Sequence, residues 1–225
     1  GAGDTGWAKE AWCGDRGGRI GGLVDQPGVE FSPTAVHHMP LDRDPQLRAA
    51  LADHPHVCLE AHSSDYQDPA VFPRLAELGF AFQKVGPALT FAYRHALYAL
   101  DQLRPTKGGL QAVMEAVMVA DPKHWQGHYA GDDAALYAQR HFGLADRIRY
   151  YWPQPAARAA LRELMDDCTA PFSDAMLSTV FDQPTLDCAE TLHGGQIPRL
   201  IHAQIACALA PHFFQEHAWQ IFRTV

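Results

Sequence analysis

The chain has 225 residues, of which 47% are apolar and 20% charged, and its formal net charge is −8. The length suffices for one large domain or two small ones, and the composition is typical of a globular protein that folds in water. The negative charge argues against a nucleic-acid surface, because phosphate backbones are bound by clustered Lys and Arg. No apolar run reaches membrane-spanning length, and no signal peptide is visible. The five cysteines include no C-x-x-C pair, which favours a reduced, cytoplasmic protein without a zinc ribbon.

The first 22 residues contain eight glycines and show no clear periodicity. They begin Gly-Ala-Gly instead of with Met. We interpret residues 1–22 as an irregular or damaged end, as in a fragment of a longer protein, with a flexible natural tail as the alternative.

The order strand, loop, helix is repeated three times between residues 19 and 104. Short apolar runs predict strands at 19–24, 56–61 and 80–85. Helices are predicted to begin at Asp44-Pro45, Asp68-Pro69 and Gly86-Pro87, where a capping residue precedes proline. This alternation predicts parallel strands with right-handed crossovers. Both a doubly wound sheet and part of a (β/α)₈ barrel are compatible with it.

After residue 104 the strand patterns stop and helical periodicity continues. Helices are predicted at 110–122, 133–142, 155–167, 173–181 and 197–210. The sequence therefore predicts an α/β segment at residues 23–104 and an all-helical region at residues 105–225.

A lysine at the end of the third predicted strand stands beside a helix start. Gly86 can serve as N-cap and Pro87 as the first helical residue, which would leave the next two N–H groups without intrahelical partners. Such groups attract anions, so the segment predicts a phosphate or carboxylate pocket, against the alternative of an ordinary turn with a solvated lysine. The candidate residues are Lys84, Gly86, Ala88, Leu89 and Thr90.

The second predicted strand ends in the polar run LEAHSSDYQ, residues 59–67. Functional groups of parallel α/β proteins gather where strands end, so His62 is a candidate metal ligand and Asp65 a candidate base. The alternative is a polar loop in which Asp65 caps a turn. In the first loop, Gln26 is a candidate substrate-binding residue and Glu30 a candidate ligand or general base.

Three other features carry less weight. The adjacent His37 and His38 point to opposite faces of an extended chain and are not expected to share a metal. Arginines and aromatic residues in 146–155 suit anion or sugar binding or an interface, with aromatic packing as the alternative. No phosphate-binding loop, dinucleotide fingerprint or G-x-S-x-G elbow is present, which argues against an ATP-dependent kinase.

Five motifs occur in the order and approximate spacing of one family. The sequence resembles the Z-type subunit of D-tagatose-1,6-bisphosphate aldolase, once labelled tagatose-6-phosphate kinase. The resemblance runs from about Val24 to His212. The motifs are QPGVEF, EAHSSDYQ, KVGPALTFAYRHALYAL, ADPKHWQGHY and DRIRYYWPQP.

The resemblance implies a (β/α)₈ barrel followed by a helical C-terminal region, of which this chain would hold the last three barrel strands and the tail. It implies a non-catalytic subunit that stabilises a separate zinc-dependent class II aldolase in galactitol or N-acetylgalactosamine breakdown. Some relatives resemble metal-dependent ketose epimerases, which would need zinc or manganese, with His62 and Glu30 as ligands and Asp65 as a further acid or base. An N-terminally truncated fragment without independent activity is the third hypothesis.

Overall fold

The computed structural model describes residues 21–104 and 109–213. Within these ranges the chain divides into two compact units. The first comprises the residues up to Glu30 together with His37–Lys84, and the second comprises Phe31–Val36 together with the residues from Val85 onward. The predicted irregular end at residues 1–22 lies outside the described residues except for its last two glycines, as do Arg19 and Ile20 of the predicted first strand.

A small parallel sheet forms the centre of the first unit. The strands β1, β4 and β5 lie in the order β1-β4-β5, and β2 pairs with β3 in a separate two-stranded sheet. The three predicted strands are therefore neighbours and run in the same direction. The elements up to residue 84 are β1 (Gly22–Asp25), β2 (Glu30–Phe31), β3 (Val36–His37), α1 (Leu47–Ala50), β4 (Cys58–Ala61), α2 (Val71–Glu77) and β5 (Phe80–Gln83).

The central strand β4 shows which face of the sheet is covered. Leu59 and Ala61 are buried, whereas Cys58 and Glu60 are half-buried, because successive side chains of a strand point to opposite faces. The buried face packs against α2 and neighbouring loop residues. This cluster contains Val29, Met39, Leu59, Ala61, Val71, Phe72, Leu75, Leu78 and Phe80.

Both predicted helices of the first unit begin later than the sequence indicated. Helix α1 starts at Leu47, because Gln46 has a left-handed backbone with φ of 59° and its N–H donates to Asp44 Oδ1 over 2.8 Å. The prediction of Asp44 as N-cap and Pro45 as first helical residue is thus wrong. Helix α2 starts at Val71, not after Asp68. Pro73 then falls in its first turn, where a missing N–H costs no helical hydrogen bond.

From Pro87 to Phe213 the regular elements of the second unit within the described residues are helices. The predicted helices at Pro87–Leu103, Asp133–Phe142 and Pro155–Asp167 match the structure, the predicted helix at 173–181 shortens to Asp174–Leu177, and the helix Gln183–Thr191 is an addition. Three helices have a side-chain N-cap: Asp132, Ser173 and Asp182. Each of these side chains accepts a hydrogen bond from the backbone N–H three residues later. The helices are α3 (Pro87–Leu103), α4 (Gly109–Ala120), α5 (Asp133–Phe142), α6 (Pro155–Asp167), α7 (Asp174–Leu177), α8 (Gln183–Thr191) and α9 (Gln196–Phe213).

One continuous apolar core joins these helices, with contributions from α3, α4 and α6 through to α9. Its largest fully buried members include Leu97, Met114, Tyr151 and Leu164. Among the described residues, no helix combines the length and apolar character needed to cross a membrane.

Candidate functional site

The carboxyl ends of the three parallel strands lie side by side. The His62 N–H donates to the Asp25 carbonyl over 3.1 Å, and the Lys84 N–H donates to the Ala61 carbonyl over 2.9 Å. These two bonds extend the sheet register Asp25↔Ala61↔Gln83 by one step. The predicted side-by-side, parallel arrangement of the segments that lead to Glu30, His62 and Lys84 is therefore present. We refer to this edge as the carboxyl edge.

An imidazole and a carboxylate meet on the sheet face that α2 does not cover. His62 Nε2 lies 2.9 Å from Glu60 Oε1, and the two side chains are 26% and 35% exposed. The pair follows from strand alternation, since residues two apart point to the same face. Sequence reasoning missed Glu60 because attention fell on the loop after the strand; the i, i+2 spacing to His62 was the available signal.

The side-chain amide of Gln26 connects the first loop to the residues that follow β4. Gln26 Nε2 donates to Glu30 Oε2 over 3.3 Å and also to the Ser63 hydroxyl. The Glu30 carboxylate is thereby linked to the residue that follows His62. Gln26 and Glu30 are exposed, so the side chains at this point are open to solvent.

The remainder of the 62–67 loop is folded inward. Asp65 is buried, with 2% of its surface exposed. The Ser64 hydroxyl donates to the Lys84 carbonyl over 3.2 Å, which fixes the end of β4 against the end of β5. Gln67 accepts from the Met39 N–H and donates to the His37 carbonyl. The structure therefore places Asp65 in the interior, while Lys84 is exposed at the carboxyl edge.

The helix start at residues 86–90 belongs to the second unit. Gly86 is the N-cap and Pro87 the first helical residue, as predicted. The Leu89 N–H, however, donates to the Gly86 carbonyl over 3.1 Å, and the Thr90 hydroxyl donates to the Pro87 carbonyl over 3.2 Å. The expectation that the Leu89 N–H lacks an intrahelical partner is wrong, because the first turn tightens to an i, i+3 bond. Ala88 is buried.

The aromatic segment at 146–155 serves packing. Tyr151 is fully buried and its hydroxyl donates to the Asp121 carbonyl over 2.6 Å. Trp152 contacts Tyr93 edge-on, with ring centroids 5.9 Å apart. Of the three aromatic side chains in this segment, Tyr150 alone is classed as exposed, with the Arg149 guanidinium over its ring at 4.5 Å. These contacts agree with aromatic packing, which was the alternative to anion or sugar binding for this segment.

A buried polar network in the second unit was not predicted. The Tyr98 hydroxyl lies 2.7 Å from His141 Nδ1, and His141 Nε2 lies 3.1 Å from Glu115 Oε2. Arg140 binds the same carboxylate through two nitrogens. Burial alone would raise the pKa of Glu115, but the charges of Arg140 and His141 hold it below its usual range. Burial lowers the pKa of His141.

The donors that the structure brings together fall short of a metal site. In the described ranges, no group of three His, Cys, Asp or Glu side chains could hold a metal ion. A catalytic zinc site takes about three protein ligands. The described residues therefore do not form a complete site, and His62 already contacts Glu60.

These features define an α/β protein whose chemically capable side chains collect at the carboxyl ends of parallel strands. The family described as D-tagatose-1,6-bisphosphate aldolase subunit GatZ/KbaZ-like matches residues 8–214, and the chain belongs to this family. The family resemblance predicted from the five motifs is thereby confirmed.

Two relatives give the comparison more detail. The D-tagatose 6-phosphate 4-epimerase of Agrobacterium fabrum is 45% identical over 166 residues, which are 68% of this chain and 38% of the relative. The crystal structure of a probable tagatose 6 phosphate kinase from Sinorhizobium meliloti 1021 superposes with a TM-score of 0.81 at 37% identity, covering 91% of this chain and 55% of that one. The chain thus spans well under two thirds of either relative.

Proposed function

We propose that this chain is part of a protein that binds a ketohexose phosphate of the tagatose type and epimerises it at a hydroxyl-bearing carbon. The observation that carries the proposal is the side-by-side position of the three parallel strand ends at the carboxyl edge, with Gln26 bonded to Glu30 and Ser63. The 45% identity to a D-tagatose 6-phosphate 4-epimerase supports the same chemistry.

The side chains at this edge suit the separate tasks of such a reaction. Lys84 offers an exposed cation for a phosphate group. Glu30 and the Glu60–His62 pair offer groups that accept and return protons at a sugar hydroxyl. Gln26 holds Glu30 in place by a hydrogen bond. The buried Asp65 is proposed as a further acid or base that becomes available only if its loop opens.

A divalent metal, zinc or manganese, would polarise the sugar carbonyl when bound. We propose His62 and Glu30 as two of its ligands, with at least one more from outside the described residues. The helix start at 86–90 is proposed as a second contact for phosphate. The described donors alone are too few to hold this ion.

We further propose that the three strands are part of a (β/α)₈ barrel. The uncovered sheet face carries Val24 and Phe82, which are 50% and 57% exposed and aligned with Glu60 in the register. Apolar side chains on both faces are typical of parallel sheets that are covered on both faces. The corresponding sheet face can be examined in the crystal structure of the Sinorhizobium meliloti relative, of which this chain covers 55%.

The experiment measures conversion of tagatose 6-phosphate to its C4 epimer by NMR, with and without added Zn²⁺ or Mn²⁺, and binding by calorimetry. We expect Lys84→Met to weaken phosphate-sugar binding about tenfold, the loss of one charge contact. Glu30→Gln should lower turnover by at least about a hundredfold with little change in binding. Lys123→Met, in the second unit, and Glu77→Gln, at the last residue of α2, are the matched controls.

A second candidate is favoured by the family description, which is that of an aldolase subunit. In that role the chain would bind the catalytic class II aldolase subunit in the cytoplasm and raise its activity in galactitol or N-acetylgalactosamine breakdown. Co-purification with that subunit and a rise in its aldolase activity, without epimerisation by this chain alone, would support the second candidate. Absence of both activities would leave a fragment without independent function.

A further inference from the structure

Two cysteines of the second unit lie at the contact between α8 and α9. Cys188 is on α8 and Cys207 on α9, and both are partly exposed and present as free thiols. The two helices pack along each other and are joined by a short connection, residues 192–195. The pair is outside the candidate site and has no role in the proposed function.

The position of the Cys207 sulfur is fixed by a backbone contact. Cys207 Sγ lies 3.6 Å from the Pro184 carbonyl oxygen, which is one helical turn before Cys188. Side chains on a helix lean toward its N-terminus, so the Cys188 side chain leans toward that same turn. Both thiols therefore face the same turn of α8.

Neighbouring side chains hold this contact in place. Thr185 is fully buried between the helices, and its hydroxyl lies 3.5 Å from Gln204 Oε1. Thr185 is three residues before Cys188, and Gln204 is three residues before Cys207. The cysteines thus occupy corresponding positions beside an ordered polar contact between α8 and α9.

We propose that Cys188 and Cys207 are an oxidation site at which a peroxide closes a disulfide bond between α8 and α9. One thiolate attacks an oxygen of the peroxide and the O–O bond breaks: that oxygen stays on the sulfur as a sulfenic acid, and the other oxygen leaves as hydroxide or alkoxide and becomes water or an alcohol. The second thiolate attacks that sulfur, the S–S bond forms, and hydroxide leaves to become water. In total the two thiols lose two electrons and two protons, and the peroxide is reduced.

The order of these steps follows from the surroundings of the sulfurs. Burial raises the pKa of the Cys207 thiol, and the adjacent Cys188 adds to the effect. The Cys207 thiolate is therefore scarce at neutral pH, and we assign the first oxidation to Cys188 and the attack to Cys207. The reaction should accelerate as the pH rises and the Cys207 thiolate becomes more abundant.

In the test, the full chain is treated with about one equivalent of hydrogen peroxide. Free thiols are then alkylated with a maleimide in denaturant, and the adducts are counted by mass spectrometry. We expect two fewer maleimide adducts, a peptide pair linked through Cys188 and Cys207, and a melting temperature raised by about 5 °C that returns on reduction. Cys58→Ser, in the first unit, should form the same link. Cys188→Ser and Cys207→Ser should not form it.

Three results would overturn the proposal. The first is a disulfide that pairs other cysteines. The second is sulfinic acid at both positions without a link. The third is an unchanged thiol count after peroxide treatment. Each of the two serine variants keeps one cysteine of the pair. Trapping a sulfenic acid on Cys188 in Cys207→Ser therefore tests the assigned order of oxidation independently.

Discussion

The buried ion pair between Arg94 and Asp146 offers the sharpest test of what holds the helical unit together. Arg94 Nε lies 2.9 Å from Asp146 Oδ1, and the two side chains are 1% and 0% exposed. The Phe91 ring lies 4.2 Å from the guanidinium carbon. The two terminal nitrogens of Arg94 have no hydrogen-bond partner within the described part of the chain, so its charge depends on Asp146.

We predict that Asp146→Asn destabilises the protein by about 3–5 kcal/mol, because it leaves a guanidinium buried without a counter-charge. Asn accepts the left-handed backbone that Asp146 adopts, with φ of 45°, so the loss would be electrostatic and not conformational. Arg94→Met should lower the free energy of unfolding by a similar amount, because it leaves the Asp146 carboxylate buried without a counter-charge. The double variant should cost less than the sum of the two, since it buries no charge at all.

The measurement is urea unfolding followed by circular dichroism at 222 nm, which reports chiefly on the helices. Glu77→Gln, which removes an exposed i, i+3 pair with Arg74, is the control and should change the free energy of unfolding by about 0.5 kcal/mol or less. A loss below about 1 kcal/mol for Asp146→Asn, or strictly additive costs in the double variant, would contradict the reasoning.

Three further predictions concern the same unit. Asp101→Asn should cost about 2 kcal/mol in urea unfolding, because the buried carboxylate pairs with Arg104 at 2.8 Å while both of its oxygens accept N–H groups at the start of α4. Below pH 6.5 the folded state binds fewer protons at His141 than the unfolded state, since burial lowers its pKa. Stability should therefore fall as the pH falls, by up to about 1.4 kcal/mol per unit, and His141→Gln should flatten that slope in melts between pH 7.5 and 5.5. Gly143→Ala should lower the melting temperature by several degrees, because a Cβ there would lie 2.5 Å from the Gln139 carbonyl oxygen. Gly127→Ala, which meets nothing within 4 Å, should leave it nearly unchanged.

Local patterns predicted the elements whose signals are contained within a few residues. The alternation of apolar runs with capped helices gave three neighbouring parallel strands, and Gly86-Pro87 marked the start of α3. Helix α1 shrank because Gln46 turns left-handed, a backbone state that no propensity at that residue indicates. Helix α8 had a usable signal in the capping residue Asp182, with Pro184 two positions later. The helix has only nine residues, and this short length obscured the signal.

Contacts between distant residues could not be predicted in the same way. Arg94 and Asp146 are 52 positions apart, and nothing in either segment specifies the other. At the candidate site, the strand ends were predicted as neighbours, yet the bond from Gln26 to Ser63 depends on how the first loop returns. Asp65 was predicted as a base or as a turn cap in a polar loop, and its burial could not be foreseen, because Ser64 and Gln67 bind distant backbone groups.

The uncovered sheet face yields a prediction that separates this chain from its longer relatives. Phe82 is 57% exposed, so Phe82→Ser in this chain should change the free energy of unfolding by about 0.5 kcal/mol or less. If the same face forms the inside of a barrel in a longer family member, the equivalent substitution there removes a buried aromatic side chain and should cost about 3–5 kcal/mol. Val24→Ser is the matched variant on the neighbouring strand and should show the same contrast. Urea unfolding of both proteins measures it, and equal small costs in the two would mean that the face stays open in the longer protein. The Glu60–His62 pair would then remain in contact with water, where its charges are screened and its acid–base chemistry is weak.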